Sequence, residues 1–132
     1  RVSRYASGVS AIPEVRAFLM DMQRGLARRQ NVIMDGRDIG TVVLPGADVK
    51  IFLTATAEDR ARRRYAELTE RGTDTDFDTV LRDIIARDEK DTQRAAAPLR
   101  QAEDAIAVDT TGNTLEESFR QLLGVVRAGV GL

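Results

Sequence analysis

The sequence predicts an α/β fold in which a parallel sheet is covered by helices. Three short apolar runs, Val32–Met34, Ile51–Leu53 and Ala105–Val108, are continuous and end in polar or turn residues. Continuous apolar runs are typical of strands that are buried on both faces of a parallel sheet. Segments with helical periodicity lie before, between and after the runs. The expected order is therefore α, β, β, α, α, β, α, in one domain that covers residues 1–132.

The first helix is predicted between Ala11 and Arg29. Pro13 suits its first turn, and Arg28 and Arg29 suit its last turn. Its apolar side chains recur with a period that puts them on one face, and they are Val15, Phe18, Leu19, Met22 and Leu26.

Three more helices follow the second apolar run. One extends from Thr56, a suitable N-cap, to Arg71, and Gly72 is expected to end it. The next runs from Phe77 to about Arg94. The sequence Thr-Leu-Glu-Glu that begins at Thr114 predicts a capping box and a last helix to about Arg127.

Composition removes several kinds of chemistry. The chain has no cysteine and no histidine, which excludes disulfides, thiolate nucleophiles, imidazole bases and the usual zinc ligands. Its net charge of −1 does not favour nucleic acid or an anionic membrane as a partner. No apolar run approaches the length of a membrane span, and no signal peptide is visible, so we expect a cytoplasmic protein.

Arginine dominates the cations: Lys50 and Lys90 are the two lysines among 20 basic residues. A GC-rich genome produces such a bias. Selection for the planar guanidinium, which binds phosphate and carboxylate with two hydrogen bonds, produces it too. Composition leaves both explanations open.

The segment Asp35–Gly40 is the first candidate site, because it follows a predicted strand. Ligands collect outside the carboxyl ends of strands in open parallel sheets. Gly36 permits a sharp turn, Arg37 suits a phosphate, and Asp35 or Asp38 suits a base, a hydroxyl or a hydrated metal ion. A simple turn with a solvated ion pair explains the same residues.

Two arginine clusters on predicted helices are further candidates. Arg87, Asp91 and Arg94 share a stripe, in which Asp91 is placed to brace either arginine. Arg60, Arg63 and Arg64 share another face. Each cluster fits either an anion site or an exposed, solvated set of ion pairs. Spacing favours the ion pairs for the first cluster and leaves both explanations open for the second.

Three stretches together closely resemble the bacterial cytidylate kinase family. They are VSAIPEVR at 9–16, MDGRDIGTVVLPGADVKIFLTATAEDRARRR at 34–64 and RDEKDTQRAAAPL at 87–99. The similarity extends over about residues 7–127. It implies a three-layer parallel sheet of the P-loop nucleoside monophosphate kinase type, with residues 56–94 as lid-type helices. The implied reaction transfers a phosphoryl group from Mg-ATP to CMP or dCMP.

The resemblance also implies a role for each matching position. Arg37 and Arg94 match arginines that bind the monophosphate. Arg87 and Asp91 match residues at the sugar, and Asp35 matches an acid near the metal and the P-loop. The positions that match cytosine recognition are Ser7, Arg16 and Asp38, and those that match the catalytic arginines of the lid are Arg60, Arg63 and Arg64.

The family's P-loop strand and its monophosphate-binding insert have no counterpart here. No Gly-x-x-x-x-Gly-Lys-Ser/Thr sequence occurs in the chain. We therefore expect part of a longer kinase that is inactive by itself, with Mg²⁺ and ATP bound mainly by the absent N-terminal part and no metal ligand in this chain. The alternatives are a nucleotide-binding remnant without catalysis, and an interaction piece whose unpaired strand edges recruit the missing half or a second copy.

Overall fold

A computed structural model describes residues 8–95 and 97–132 of the chain. In these residues a small parallel sheet is combined with helices and one π-helical turn, and residues 8–10 are also helical. The elements, in chain order, are α1 (Pro13–Arg29), the π-helical turn (Ile39–Val43), β1 (Ile51–Thr54), α2 (Ala57–Glu70), α3 (Phe77–Gln93), β2 (Ile106–Asp109) and α4 (Leu115–Gly129).

The sheet has two strands within the described residues. β1 and β2 are parallel, and their register pairs Ile51 with Ile106 and Thr54 with Asp109. Parallel neighbours need a long crossover, which α2 and α3 provide. The predictions of an α/β chain and of parallel strands at the second and third apolar runs are confirmed.

The predicted strand at Val32–Met34 is wrong for this structure. Residues 31–35 are without assigned secondary structure, and Ile33 is almost completely exposed. A strand exists only where a neighbouring backbone accepts and donates its ladder hydrogen bonds. Within the described residues β1 pairs only with β2, so no strand is hydrogen-bonded to residues 31–35.

Buried apolar side chains are few and small in the described part of the chain. They are Val43, Ala55, Ala61, Val80 and Val108. Large apolar side chains on both α1 and α4 remain exposed, including Phe18 and Phe119. A two-stranded sheet offers little surface for four helices to cover, and this is why the expected burial of the strands on both faces is incomplete: Leu53 and Ile106 are about half exposed.

Helix ends follow the sequence closely. The Thr56 side chain accepts a hydrogen bond from the Asp59 amide at the start of α2, and Gly72 takes a positive φ of 71° just after α2 ends. Thr114 and Glu117 form the complete capping box of α4. Asp76 is the N-cap of α3, which the sequence analysis did not assign.

Helices α2 and α3 pack against each other as a pair. Tyr65 and Phe77 meet edge to face with ring centroids 6.3 Å apart. Arg60 on α2 forms a two-pronged ion pair with Asp88 on α3. No helix in the described ranges combines the length and apolar character that crossing a membrane requires.

Candidate functional site

A cleft of about 210 Å³ lies between α1, the segment that leads into the π-helical turn, and the end of α3. We call it the charged cleft. Six charged or amide side chains line it: Arg16, Gln23, Asp35, Arg37, Asp38 and Arg94. Residues from three separate stretches of the sequence therefore meet in one place.

Gly36 allows the chain to turn tightly at the cleft. A Cβ atom at this position would lie 2.8 Å from Cγ1 of Ile39, a distance that real Cβ atoms do not show. The absence of a side chain lets Asp35, Arg37 and Asp38 follow one another along the cleft wall.

Asp38 forms an ion pair with Arg16 across the cleft. The Asp38 side chain is 12% exposed and that of Arg16 is 32% exposed, so the carboxylate is the more enclosed partner. Asp38 also precedes the π-helical turn, and its carbonyl accepts hydrogen bonds from the amides of Val42 and Val43. The carboxylate is thus held at the junction of α1 and the turn.

Arg37 pairs with Asp91 of α3, which corrects the expectation that Asp91 braces Arg87 or Arg94. The Asp91 side chain is 17% exposed and points toward the cleft segment. A charge pair that is partly removed from water is stronger than an exposed pair along one helix face, which gains only a few tenths of a kcal/mol. The tertiary partner therefore replaces the local ones.

Arg94 lines the charged cleft just beyond the last residue of α3. Its Nε donates to the carbonyl of Ala97 at 2.7 Å, and Ala97 has a φ of 48°. The Leu99 amide donates to the Asp91 carbonyl at 2.9 Å and closes this loop. The loop holds the Arg94 guanidinium at the cleft, while Arg87 is exposed and does not line it.

Three arginines of α2 lie outside the charged cleft and have acidic or carbonyl partners: Arg60, Arg63 and Arg64. The Arg60 guanidinium lowers the pKa of Asp88 through their hydrogen bonds, and Asp88 raises that of Arg60. Arg63 pairs with Asp59 and donates to the Thr110 carbonyl at 2.6 Å. Arg64 pairs with Glu67 at 2.7 Å. In this conformation the cluster is neutralised by protein groups.

A second groove, of about 260 Å³, lies between residues 34–41 and β1. We call it the edge groove. It is lined on one side by Met34 and Gly40 and on the other by Phe52 and Leu53, and Asp35 and Arg37 border both this groove and the charged cleft. The edge groove thus runs beside the strand and opens toward the candidate site.

Sequence reasoning missed two side chains of α1. Gln23 lines the charged cleft, and Arg24, which does not line it, donates to the carbonyls of Val42 and Val43 at 2.7 and 2.8 Å. Their position on α1, about two turns after Arg16, was the one feature of the sequence that could have placed them on the same side of the helix as Arg16. Ser7, which the resemblance assigns to cytosine recognition, lies outside the described residues.

Asp35 is exposed at the cleft. No group of three or more carboxylates that could hold a metal ion occurs in the part of the chain that the structure describes. A single carboxylate contact is compatible with Mg²⁺, which keeps several waters and binds substrate phosphates. The described donor set does not form a protein cage for a metal.

Comparison with known proteins gives a consistent result. A family model for cytidylate kinase matches residues 1–128. The cytidylate kinase of Carboxydothermus hydrogenoformans is 53% identical over 126 residues, which are 96% of this chain and 57% of that protein. Those of Caldicellulosiruptor bescii and Streptococcus pneumoniae are 56% and 50% identical over 92% of this chain and 54% of their own lengths. The chain spans little more than half the length of these relatives.

Proposed function

The chain belongs to the cytidylate kinase family, and from that premise we propose that it provides the acceptor site of a nucleoside monophosphate kinase. As part of a longer kinase it would transfer a phosphoryl group from ATP to CMP or dCMP, giving CDP or dCDP. One observation carries the proposal: the charged cleft brings Arg16, Arg37, Asp38 and Arg94 together from distant parts of the sequence.

The monophosphate is proposed to bind between Arg37 and Arg94. Arg37 uses Nε for Asp91, and Arg94 uses Nε for the Ala97 carbonyl. A guanidinium has five N–H donors, so the terminal nitrogens of both side chains are free to face a phosphate. Fixing each Nε reduces the loss of side-chain freedom when the phosphate binds.

The cytosine is proposed to bind at Arg16 and Asp38, with Ser7 as a further partner. Cytosine presents an amino donor beside acceptor atoms, and a carboxylate beside a guanidinium has the opposite pattern. Each charge-assisted hydrogen bond contributes about 1.5–3 kcal/mol. Uracil has a carbonyl where cytosine has the amino group, so an acceptor would face the Asp38 carboxylate in place of a donor.

The remaining predicted residues act on the sugar and on the transferred group. Arg87 and Asp91 are proposed to lie near the ribose. Arg60, Arg63 and Arg64 are proposed to reach the phosphates when α2 and α3 close as a lid. Closure would require Arg60 to exchange Asp88 for a phosphate, since the pair is present in this conformation.

Phosphoryl transfer depends on positioning and on charge stabilisation more than on proton transfer. Arginines and carboxylates are therefore sufficient side chains for the acceptor site. Mg²⁺ bound with ATP would supply further neutralisation of phosphate charge, with Asp35 near it. The P-loop and its strand are proposed to come from residues outside this chain, the strand entering the edge groove beside β1.

Activity of the isolated 132 residues is proposed to be absent, because they contain no P-loop sequence. A remnant that binds nucleotide without catalysis is the alternative for the chain by itself. The proposed setting is the cytoplasm, where CMP and ATP are available, and no nucleic acid or membrane partner is proposed.

Calorimetry with CMP tests the acceptor site in the purified chain. We expect saturable binding that weakens about tenfold or more in Arg94→Ala, because a charge-assisted contact to the phosphate is lost. Arg127→Ala, an exposed arginine in the last turn of α4, is the matched control and should leave CMP affinity unchanged. Equal weakening by both variants, or no CMP binding by the unaltered chain, would overturn the proposal.

A further inference from the structure

The π-helical turn ends in two carbonyl groups that its own amides do not satisfy. The amides of Val42 and Val43 both donate to the Asp38 carbonyl, and the Leu44 amide donates to the carbonyl of Ile39. Val43 is 5% exposed, so its carbonyl has little access to water. A buried carbonyl without a donor is costly, and the end of this turn needs donors from elsewhere.

Arg24 provides those donors. Its Nε lies 2.8 Å from the carbonyl oxygen of Val43, and its terminal nitrogen lies 2.7 Å from that of Val42. The planar guanidinium reaches both oxygens at once, which a lysine ammonium on a flexible stem does not reproduce. The positive charge also suits the carbonyl end of a helical turn.

Helix α1 therefore holds the turn at both ends. Arg16 binds the Asp38 carboxylate before the turn, and Arg24 binds the carbonyls at its close. These two arginines are eight residues apart on one helix. With two attachment points the turn is fixed against rotation about the Arg16–Asp38 contact, and the direction of the Asp38 carboxylate is fixed with it.

We propose that Arg24 is a positioning residue for base selection: by binding the carbonyls of Val42 and Val43, it aims Asp38 at the amino group of the bound base. This inference rests on the proposed function, because it assigns Asp38 to the base. Arg24 does not line the charged cleft. It acts through the turn, and its loss should affect recognition of the base more than that of the phosphate.

The test compares three probes on the purified chain by calorimetry: CMP, UMP and ribose 5-phosphate. Arg24→Ala should lower CMP affinity about tenfold, the equivalent of one lost charge-assisted hydrogen bond. Affinity for UMP and for ribose 5-phosphate should remain within a factor of about two, since Arg37 and Arg94 are unchanged. Arg28→Ala, an exposed arginine on the same helix, is the control and should alter none of the three.

A double-mutant cycle with Asp38→Asn then tests whether Arg24 acts through Asp38. In the Asp38→Asn chain, Arg24→Ala should produce no further change in the ratio of CMP to UMP affinity. If Arg24→Ala does not fold, as judged by circular dichroism, Arg24→Lys replaces it in the test. The ratio of CMP to UMP affinity should then fall below that of the unaltered chain, by less than the tenfold expected for Arg24→Ala.

The outcomes separate the two proposals. No CMP binding by the unaltered chain overturns both the acceptor site and the role of Arg24. Normal CMP binding with an unchanged CMP-to-UMP ratio in Arg24→Ala overturns the role of Arg24 and leaves the acceptor site standing. Parallel loss of all three probes shows a general effect on folding of the cleft and also overturns it.

Discussion

At the scale of single residues, the charged cleft depends on two ion pairs between different segments. Arg16–Asp38 joins α1 to the turn segment, and Arg37–Asp91 joins that segment to α3. Both carboxylates are less than one-fifth exposed. Removing either arginine would leave an enclosed carboxylate without a partner, which costs more than the loss of a surface ion pair. The pairs thus position residues 35–38 between two helices.

The Arg60–Asp88 pair should make stability depend on acid pH. Arg60 lowers the pKa of Asp88 below its ordinary value. The stabilisation is therefore complete above the unfolded pKa and is lost as the pH falls through the lower folded pKa. Both side chains are more than a third exposed, so we expect the pair to contribute about 0.5 kcal/mol to the free energy of unfolding at neutral pH.

Urea unfolding of Asp88→Asn as a function of pH checks this. Its free energy of unfolding should fall less steeply than that of the unaltered chain as the pH is lowered from neutrality to acid. Asp74→Asn, in the exposed connection between α2 and α3, is the control. An acid dependence of Asp88→Asn identical to that of the unaltered chain would refute the assignment.

The partner of Asp91 could not be predicted from spacing along the helix. Spacing along α3 predicts contacts with Arg87 and Arg94, because those side chains are neighbours on one helix face. The observed partner, Arg37, is 54 residues away along the chain. Helical spacing carries no information about which loop packs against the helix. The resemblance to a family placed Arg37 and Arg94 in one site, although it did not give the ion pairs that hold them.

At the scale of elements, helix ends are set locally and strands are not. Thr56, Gly72 and Thr114 determine helix boundaries through contacts within a few residues, and all three were predicted from the sequence. Val32–Met34 has the composition of a strand and does not form one. A ladder partner must come from a distant segment, and none is present beside it in the described residues.

The capping box of α4 gives a prediction at this scale. Thr114→Ala removes the hydroxyl that accepts from the Glu117 amide, and it should lower the free energy of unfolding by about 1 kcal/mol. Thr114→Ser retains that oxygen and serves as the matched control. Chemical denaturation followed by circular dichroism measures both. If Ala and Ser destabilise equally, the cap is not the source of the effect.

At the scale of the whole molecule, many large apolar side chains of the described residues are exposed to solvent and do not pack in the core. Leu53 and Phe119 are more than half exposed, and so is Leu115. Exposed apolar surface is where further structure tends to pack, and Leu53 also lies in the edge groove beside β1. The matched residues are 57% and 54% of the lengths of two relatives, and the remainder of such a protein is a candidate for that structure.

Phosphoryl transfer by the purified chain should therefore be undetectable. Without the P-loop no described group cradles the phosphates of ATP, so a coupled assay with CMP and Mg-ATP should give the rate of the blank. The matched comparison adds a second polypeptide in trans: the N-terminal portion of a relative, which this chain lacks. It should raise the rate if the two parts associate. Turnover by the 132 residues alone, free of contaminating kinase, would refute the proposed division of the site.

A titration of the isotopically labelled chain with CMP, followed by NMR, tests whether the charged cleft is the CMP site. We expect saturable chemical-shift changes concentrated at Arg16, Arg37, Asp38 and Arg94, with α4 unaffected. Changes that map to α4 or to the Arg63–Thr110 region instead, or no saturable change at all, would contradict it.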